Sequence, residues 1–319
     1  MMHAAASTHY AEPMRRLSRR LRLNEPQLAV LFLLPALFGL AVFLYYPIGR
    51  TLLFSLYDLE RTTELSSERF VGLQNYAQVM RTAQFWRSFG YTLYFTLVSV
   101  TLEFGLGLGM ALATFQVIPA LRGLLRAIII IPWAIPAIIQ AAIWKWLFNS
   151  DVGLFADLLL RTGLVQEPPL FLGTPLPAMH SVILAYVWRG AAITSIFLMG
   201  GLALVPRHLH EAAMVDGARP WLRFRRITLP LMLPTIMVTL MFRTIDALRA
   251  FEIIYGLTGG GPGTTTEVLS SFAYRFYFSY AQFGQGSAYA IVTFALVMGL
   301  SWLYIRRLVP HLQLRGQSG

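Results

Sequence analysis

Glu211-Ala212-Ala213-Met214-Val215-Asp216-Gly217-Ala218 is a short stretch of small and acidic residues set between two long apolar runs. Its surroundings are basic: Arg207 precedes it, and Arg219, Arg223, Arg225 and Arg226 follow. Pro206 closes the apolar run before it, so residues 207–215 are expected to begin a fresh helix. Gly217 suits the left-handed residue that ends a helix. Pro220 suits the first turn of the next one. The expectation is two short helices joined by a tight turn and lying along a membrane surface. Ala212 and Ala213 keep one face small, so a partner can come close, and Glu211 offers that partner an anion. A lone Glu-Ala-Ala would read as an ordinary solvated helix; the whole spaced pattern reads as a docking surface.

The rest of the chain supplies the membrane. Of 319 residues, 56% are hydrophobic and only 13% are charged, where soluble domains carry about 25% charged residues. Six apolar runs, near 27–48, 89–115, 124–148, 179–204, 228–257 and 286–308, approach or exceed the roughly 20 residues that cross a bilayer core. Such spans must be helical, because lipid offers no partner to an unpaired backbone group. Pro132 and Pro136 interrupt the third run, and Pro230 and Pro234 open the fifth. The absence of cysteine excludes disulfides and thiolate chemistry. The net charge of +11 comes from arginine, Lys145 being the single lysine. These arginines sit beside spans, so the basic balance points to a membrane face and not to nucleic acid. Arg15, Arg16, Arg19, Arg20 and Arg22 precede the first run. That run exceeds the apolar core of about 7–15 residues in a signal peptide, and reads as an uncleaved span.

Loops on the N-terminal side of the membrane hold fifteen arginines against seven on the other. Arginine bias marks the cytoplasmic side, so both termini are expected there, as six spans require. Residues 211–218 fall on that same side. The expected organisation is an N-terminal segment 1–26, a transmembrane domain 27–308 with the loop at about 206–227, and a tail 309–319. Gly105, Gly107 and Gly109 offer a small face for helix packing.

Nucleotide chemistry lacks its residues. A phosphate-binding P-loop needs G-x-x-x-x-G-K-[ST], whereas Lys145 lies in Trp144-Lys145-Trp146 without a glycine loop. Thr258-Gly259-Gly260-Gly261-Pro262-Gly263 has no lysine and falls on the outer side, so it reads as a tight loop. Energy must come from another polypeptide or from an ion gradient.

The order E-A-A-x-x-D-G-A, then Phe224, Ile227, Leu229-Pro230 and Pro234, resembles the cytoplasmic loop of permease subunits in binding-protein-dependent ABC importers, and its carbohydrate branch in particular. Further landmarks agree: Pro35 with Tyr46-Pro47-Ile48, Ile131 to Pro136 followed by Trp144 to Asn149, Trp188 with Val205-Pro206, and the Thr258 loop. The resemblance implies an all-α integral membrane fold of six transmembrane helices with a cytoplasmic EAA coupling loop. It implies a multi-pass subunit of the cytoplasmic membrane that is not an enzyme and holds no metal or cofactor. ATP and Mg would be bound by partner ATPase subunits. The third span and the glycine loop look maltose-F-like, which implies a second, maltose-G-like permease and an extracytoplasmic sugar-binding protein. Glu211, Ala212, Ala213, Asp216, Gly217 and Ala218 would couple to the ATPase.

Ionisable groups inside spans are expensive and mark function by default. Here they are Glu103, Lys145, Arg189, Arg243, Asp246, Arg249 and Glu252, of which Lys145 and Glu252 can snorkel to an interface. Arg243, Asp246 and Arg249 share one helix face, and Asp246 can pair with either arginine. They form either a structural lock or a polar stripe along a wet cavity. The resemblance places sugar contacts at Trp133 and Ala137, at Tyr186, Arg189 and Gly190, and at Arg243, Asp246, Ala247 and Ala250. Relatives often carry asparagines in the fifth span, so Arg243 and Asp246 leave an anionic or phosphorylated substrate open. A permease for another solute, such as glycerol phosphate or an amino acid, and an ion-coupled secondary transporter using Asp246 or Glu103 also remain open.

Overall fold

A computed structural model describes residues 25–59 and 69–316 of the chain. Most of segment 1–26 and the end of tail 309–319 lie outside the described residues. The chain divides into two units at Leu53 and Phe54.

The first unit is the N-terminal span. Helix α1 (Glu25–Leu40) passes through a π turn (Ala41–Tyr45) into α2 (Tyr46–Phe54). The apolar helix runs over Gln27–Phe54, further than the expected 48, because nothing after Pro47 breaks it. Pro35 is accommodated inside α1, as membrane helices allow.

The second unit holds the remaining elements: α3 (Gln74–Arg81), α4 (Ala83–Gln116), α5 (Pro119–Ala134), α6 (Ala137–Leu147), α7 (Leu154–Arg161) and α8 (Pro175–Ala203). After these come α9 (Arg207–Val215), α10 (Pro220–Arg223), α11 (Leu229–Leu248), α12 (Glu252–Thr258), α13 (Leu269–Tyr274) and α14 (Phe283–Gly316). A two-residue antiparallel ladder, β1 (Tyr57–Asp58) with β2 (Arg69–Phe70), pairs Tyr57 with Phe70. Asn75 anchors it by donating to the carbonyls of Ser55 and Tyr57, both at 2.9 Å.

Helix α8 is the axis of this unit. It packs on α4, α5 and α11, and 67% of its most apolar window is buried against 17% for α14. Small residues permit these approaches. A Cβ on Gly107 would stand 2.7 Å from the Thr194 methyl group, and one on Gly201 would stand 2.8 Å from that of Thr235. Gly105 and Gly109 face open space, so only the middle glycine of the expected packing face serves it.

Two further spans differ from the sequence reading. The third is two helices, α5 and α6, bent by 90°. Pro136 has no N–H and pushes Ile135 out of the helical region; both residues are extended, with ψ of 126° and 137°. The fifth begins earlier and stops earlier than 228–257. One helix runs over Pro220–Leu248, joining α10 to α11 through a π turn at Phe224–Thr228. Pro230 sits in the first turn of α11, and Pro234 is accommodated inside it, as membrane helices allow. It ends at Arg249, and α12 starts afresh at Glu252. With the bent pair counted as one span, the described residues hold six helical segments long and apolar enough to cross a membrane, the expected number.

The glycine run forms a tight turn. Gly259, Gly260 and Gly263 have φ of 61°, 92° and 61°, a region that favours glycine. Arg275 clasps the turn, donating to the Gly259 carbonyl at 2.9 Å and meeting Glu267 at 2.9 Å.

Candidate functional site

Helix α9 spans the expected residues 207–215, and the turn after it is closed by its own backbone. Gly217 has φ 74°. Its N–H reaches the Met214 carbonyl at 3.0 Å, and the Ala218 N–H reaches Ala213 at 2.8 Å. This is the Schellman pattern, which satisfies carbonyls that a helix end otherwise strands. Pro220 occupies the first turn of α10. Glu211, Ala212, Asp216 and Gly217 are exposed, and Ala213 and Ala218 half-exposed. The loop thus presents a preformed, small-residue surface with two exposed acids, Glu211 and Asp216.

At the opposite end of α11 lies a cavity of about 470 Å³. Ala137 and Gln140 line it from α6, Tyr186 and Arg189 from α8, Asp246 from α11, and Ala250 from the segment linking α11 to α12. The two helix breaks, at Pro136 and at Arg249, both open onto it. Five of the nine expected contact residues therefore share one wall: Ala137, Tyr186, Arg189, Asp246 and Ala250. The other four, Trp133, Gly190, Arg243 and Ala247, do not line it. Trp133 precedes the 90° bend and is 45% exposed, while Gly190, Arg243 and Ala247 are buried.

Behind the wall is a buried ionic network. The Arg243 guanidinium donates from Nε and Nη2 to the two oxygens of Glu103, each at 2.7 Å. Glu103 is wholly buried on α4. Arg243 Nη1 reaches Asp246 at 3.1 Å, and Asp246 also accepts from the Tyr186 hydroxyl at 3.0 Å and from Arg249 at 3.4 Å. The Arg243 guanidinium lies 5.6 Å from the Tyr186 ring centre, within cation–π range. Gly190 makes the space: a Cβ there would collide with Glu103 and stand 2.6 Å from Arg243 Nη2. Asp246 thus pairs with both arginines, and Arg243 also has Glu103, a partner the sequence left unassigned. Its 140-residue separation hides it from any local pattern. Gln140, also missed, donates to the Ala185 carbonyl at 2.5 Å; as the single amide between Pro119 and Leu147 it was visible. Among the described residues, the buried Gln140 Oε1 and Arg189 Nε have no hydrogen-bond partner. Such a wall, with an aromatic ring, an amide and charged donors and acceptors, can bind a polyhydroxylated solute.

The family model of binding-protein-dependent transport system inner membrane components matches residues 105–311. The chain belongs to that family. It is a permease subunit of an ABC importer. The permease is 41% identical to the trehalose/maltose transport system permease protein MalF of Thermococcus litoralis, covering 91% of this chain and 96% of that one. It is 37% identical to the sulfoquinovosyl glycerol transport system permease protein SmoG of Agrobacterium fabrum, over 91% and 93%. Among solved structures it superposes on a chain of a bacterial ABC transporter involved in import of the acidic polysaccharide alginate. The TM-score is 0.77 at 25% identity, covering 92% of this chain and 99% of that one.

Proposed function

We propose that this permease carries a di- or oligosaccharide into the cytoplasm by alternating access driven by ATP. The observation that carries the reading is the polar cavity set at two helix breaks and backed by buried charge. Its volume falls in the usual range for small-ligand sites, about 300–1,000 Å³. Relatives named for trehalose/maltose and trehalose transport support a sugar. Residues 1–26, 27–308 and 309–319 then act as cytoplasmic segment, transmembrane domain and cytoplasmic tail. The partners are a second permease, ATPase subunits that bind ATP and Mg, and an extracytoplasmic sugar-binding protein. The loop at 206–227 docks on the ATPase through Glu211, Ala212, Ala213, Asp216, Gly217 and Ala218. ATP closes the ATPases, the loop moves with them, and the cavity opens outward to receive sugar. The complex should take up labelled trehalose or maltose into proteoliposomes only with ATP inside and binding protein outside. Uptake by this chain alone on an ion gradient would sink the reading.

A further inference from the structure

We propose that Glu103 sets the charge of the transported sugar: by cancelling Arg243 from behind, it makes the cavity accept an uncharged sugar and reject an anionic one. The inference rests on the sugar-importer reading above. Named relatives and neighbours leave substrate charge undecided, because they include both trehalose/maltose and alginate systems. The network decides it here. Arginine recognises a carboxylate or sulfonate best with its planar fork, through two parallel N–H donors. In Arg243 that fork is already filled by Glu103, with both contacts at 2.7 Å, and the remaining Nη1 is directed to Asp246. Around the cavity, Arg189, Arg243 and Arg249 equal Glu103, Asp246 and Glu252 in number, so the set is formally neutral, although among the described residues Arg189 has no ion pair of its own. Neutralising Glu103 would leave one net positive charge behind the wall beside Tyr186; Arg243 does not line the cavity, so this charge acts through its field. Glu103 itself does not line the cavity and is wholly buried. It acts through Arg243 as a positioning residue. Gly190 is part of the device, since any side chain there would displace the pair.

The test uses the assembled permease–ATPase complex in nanodiscs without binding protein, so that the latter's own selectivity does not enter. Equilibrium binding is measured for labelled maltose and trehalose, with a disaccharide uronate of the same size as competitor. The wild-type complex should bind one of the neutral sugars and be competed poorly by the uronate. Glu103→Gln should strengthen competition by the uronate at least tenfold. Unchanged rank order in an assembled Glu103→Gln complex overturns the proposal. If that variant does not assemble, Glu103→Gln/Arg243→Gln carries the test. With both charges gone, neutral binding should stay within about threefold and the uronate should still be rejected. Loss of neutral binding in the assembled double variant, or failure of both variants to assemble, overturns the proposal as well. Failure of the sugar-importer reading looks different: the wild-type complex then neither binds sugar nor imports it when binding protein is restored.

Discussion

Gly256 on α12 packs directly against Ala141 on α6: a Cβ built on the glycine would stand 2.6 Å from the alanine Cβ. This contact joins the second half of the bent span to the short helix that follows the cavity. Gly256→Ala should therefore force the two helices apart, at an overpacking cost of about 1–3 kcal/mol. The melting temperature of the purified complex should fall, and Gly256→Ala/Ala141→Gly should recover most of the loss. No recovery in the double variant would mean that the strain lies elsewhere.

The turn at Gly217 makes a second case. Its φ of 74° excludes proline, and its N–H is already engaged. Gly217→Pro should disrupt the end of α9, and Glu211→Lys should reverse the charge offered to the ATPase. Both variants should insert normally and lose transport. Wild-type transport, with ATPase still retained in a pull-down, would remove these residues from coupling.

Asp246 gathers Tyr186, Arg243 and Arg249 on two oxygens. Its side chain is 32% exposed, so Asp246→Asn should cost less stability than removing one partner of the wholly buried pair, for which about 3–5 kcal/mol is typical. We expect an assembled complex with transport reduced at least tenfold and ATP hydrolysis still stimulated by binding protein. Undiminished transport would make the aspartate a purely structural partner.

Glu267 gives a pH signature outside the spans. Burial pushes its carboxyl up to about 7, against the opposing pull of Arg275. The folded state then holds this proton more tightly than the unfolded chain, where glutamate titrates at about 4.3. Stability from this group is thus present at low pH and is lost as pH rises from about 4 to about 7. The melting temperature of wild type, relative to Glu267→Gln, should decline across that window and level off above it. A constant difference from pH 5 to pH 8 would contradict the assignment.

Orientation can be read directly, because the chain has no cysteine of its own. Single cysteines at Thr162 and at Met214, both exposed, should label from opposite faces of intact cells. Labelling from one face would overturn the arginine-based topology.

The spans and the loop were legible because each is written locally. Apolar length marks a membrane helix, and Pro206, Gly217 and Pro220 punctuate the loop at the positions where the helices start and stop. The angle at Pro136 was not legible. Proline predicts a break, but the 90° turn also depends on α6 finding Gly256 and the Ala185 carbonyl to pack on. The cavity was half legible. Arg189 and Asp246 stood out as charged groups in apolar runs and Tyr186 came only from the resemblance, whereas Arg243 looked like a lining residue until Glu103, from another helix, accounted for its fork.

The unbroken helix from Pro220 to Leu248 is 29 residues long, or about 43 Å at ~1.5 Å per residue. Its foot is the second helix of the loop, and its head carries Asp246. A rigid rod of that length turns small angles into useful travel: a tilt of about 5° at the foot swings the head by roughly 4 Å. That exceeds the length of any contact in the Asp246 network, whose longest bond is 3.4 Å. The stiffness of this one segment would therefore set how much of a partner's stroke reaches the solute, and a hinge introduced midway should spend the stroke on bending.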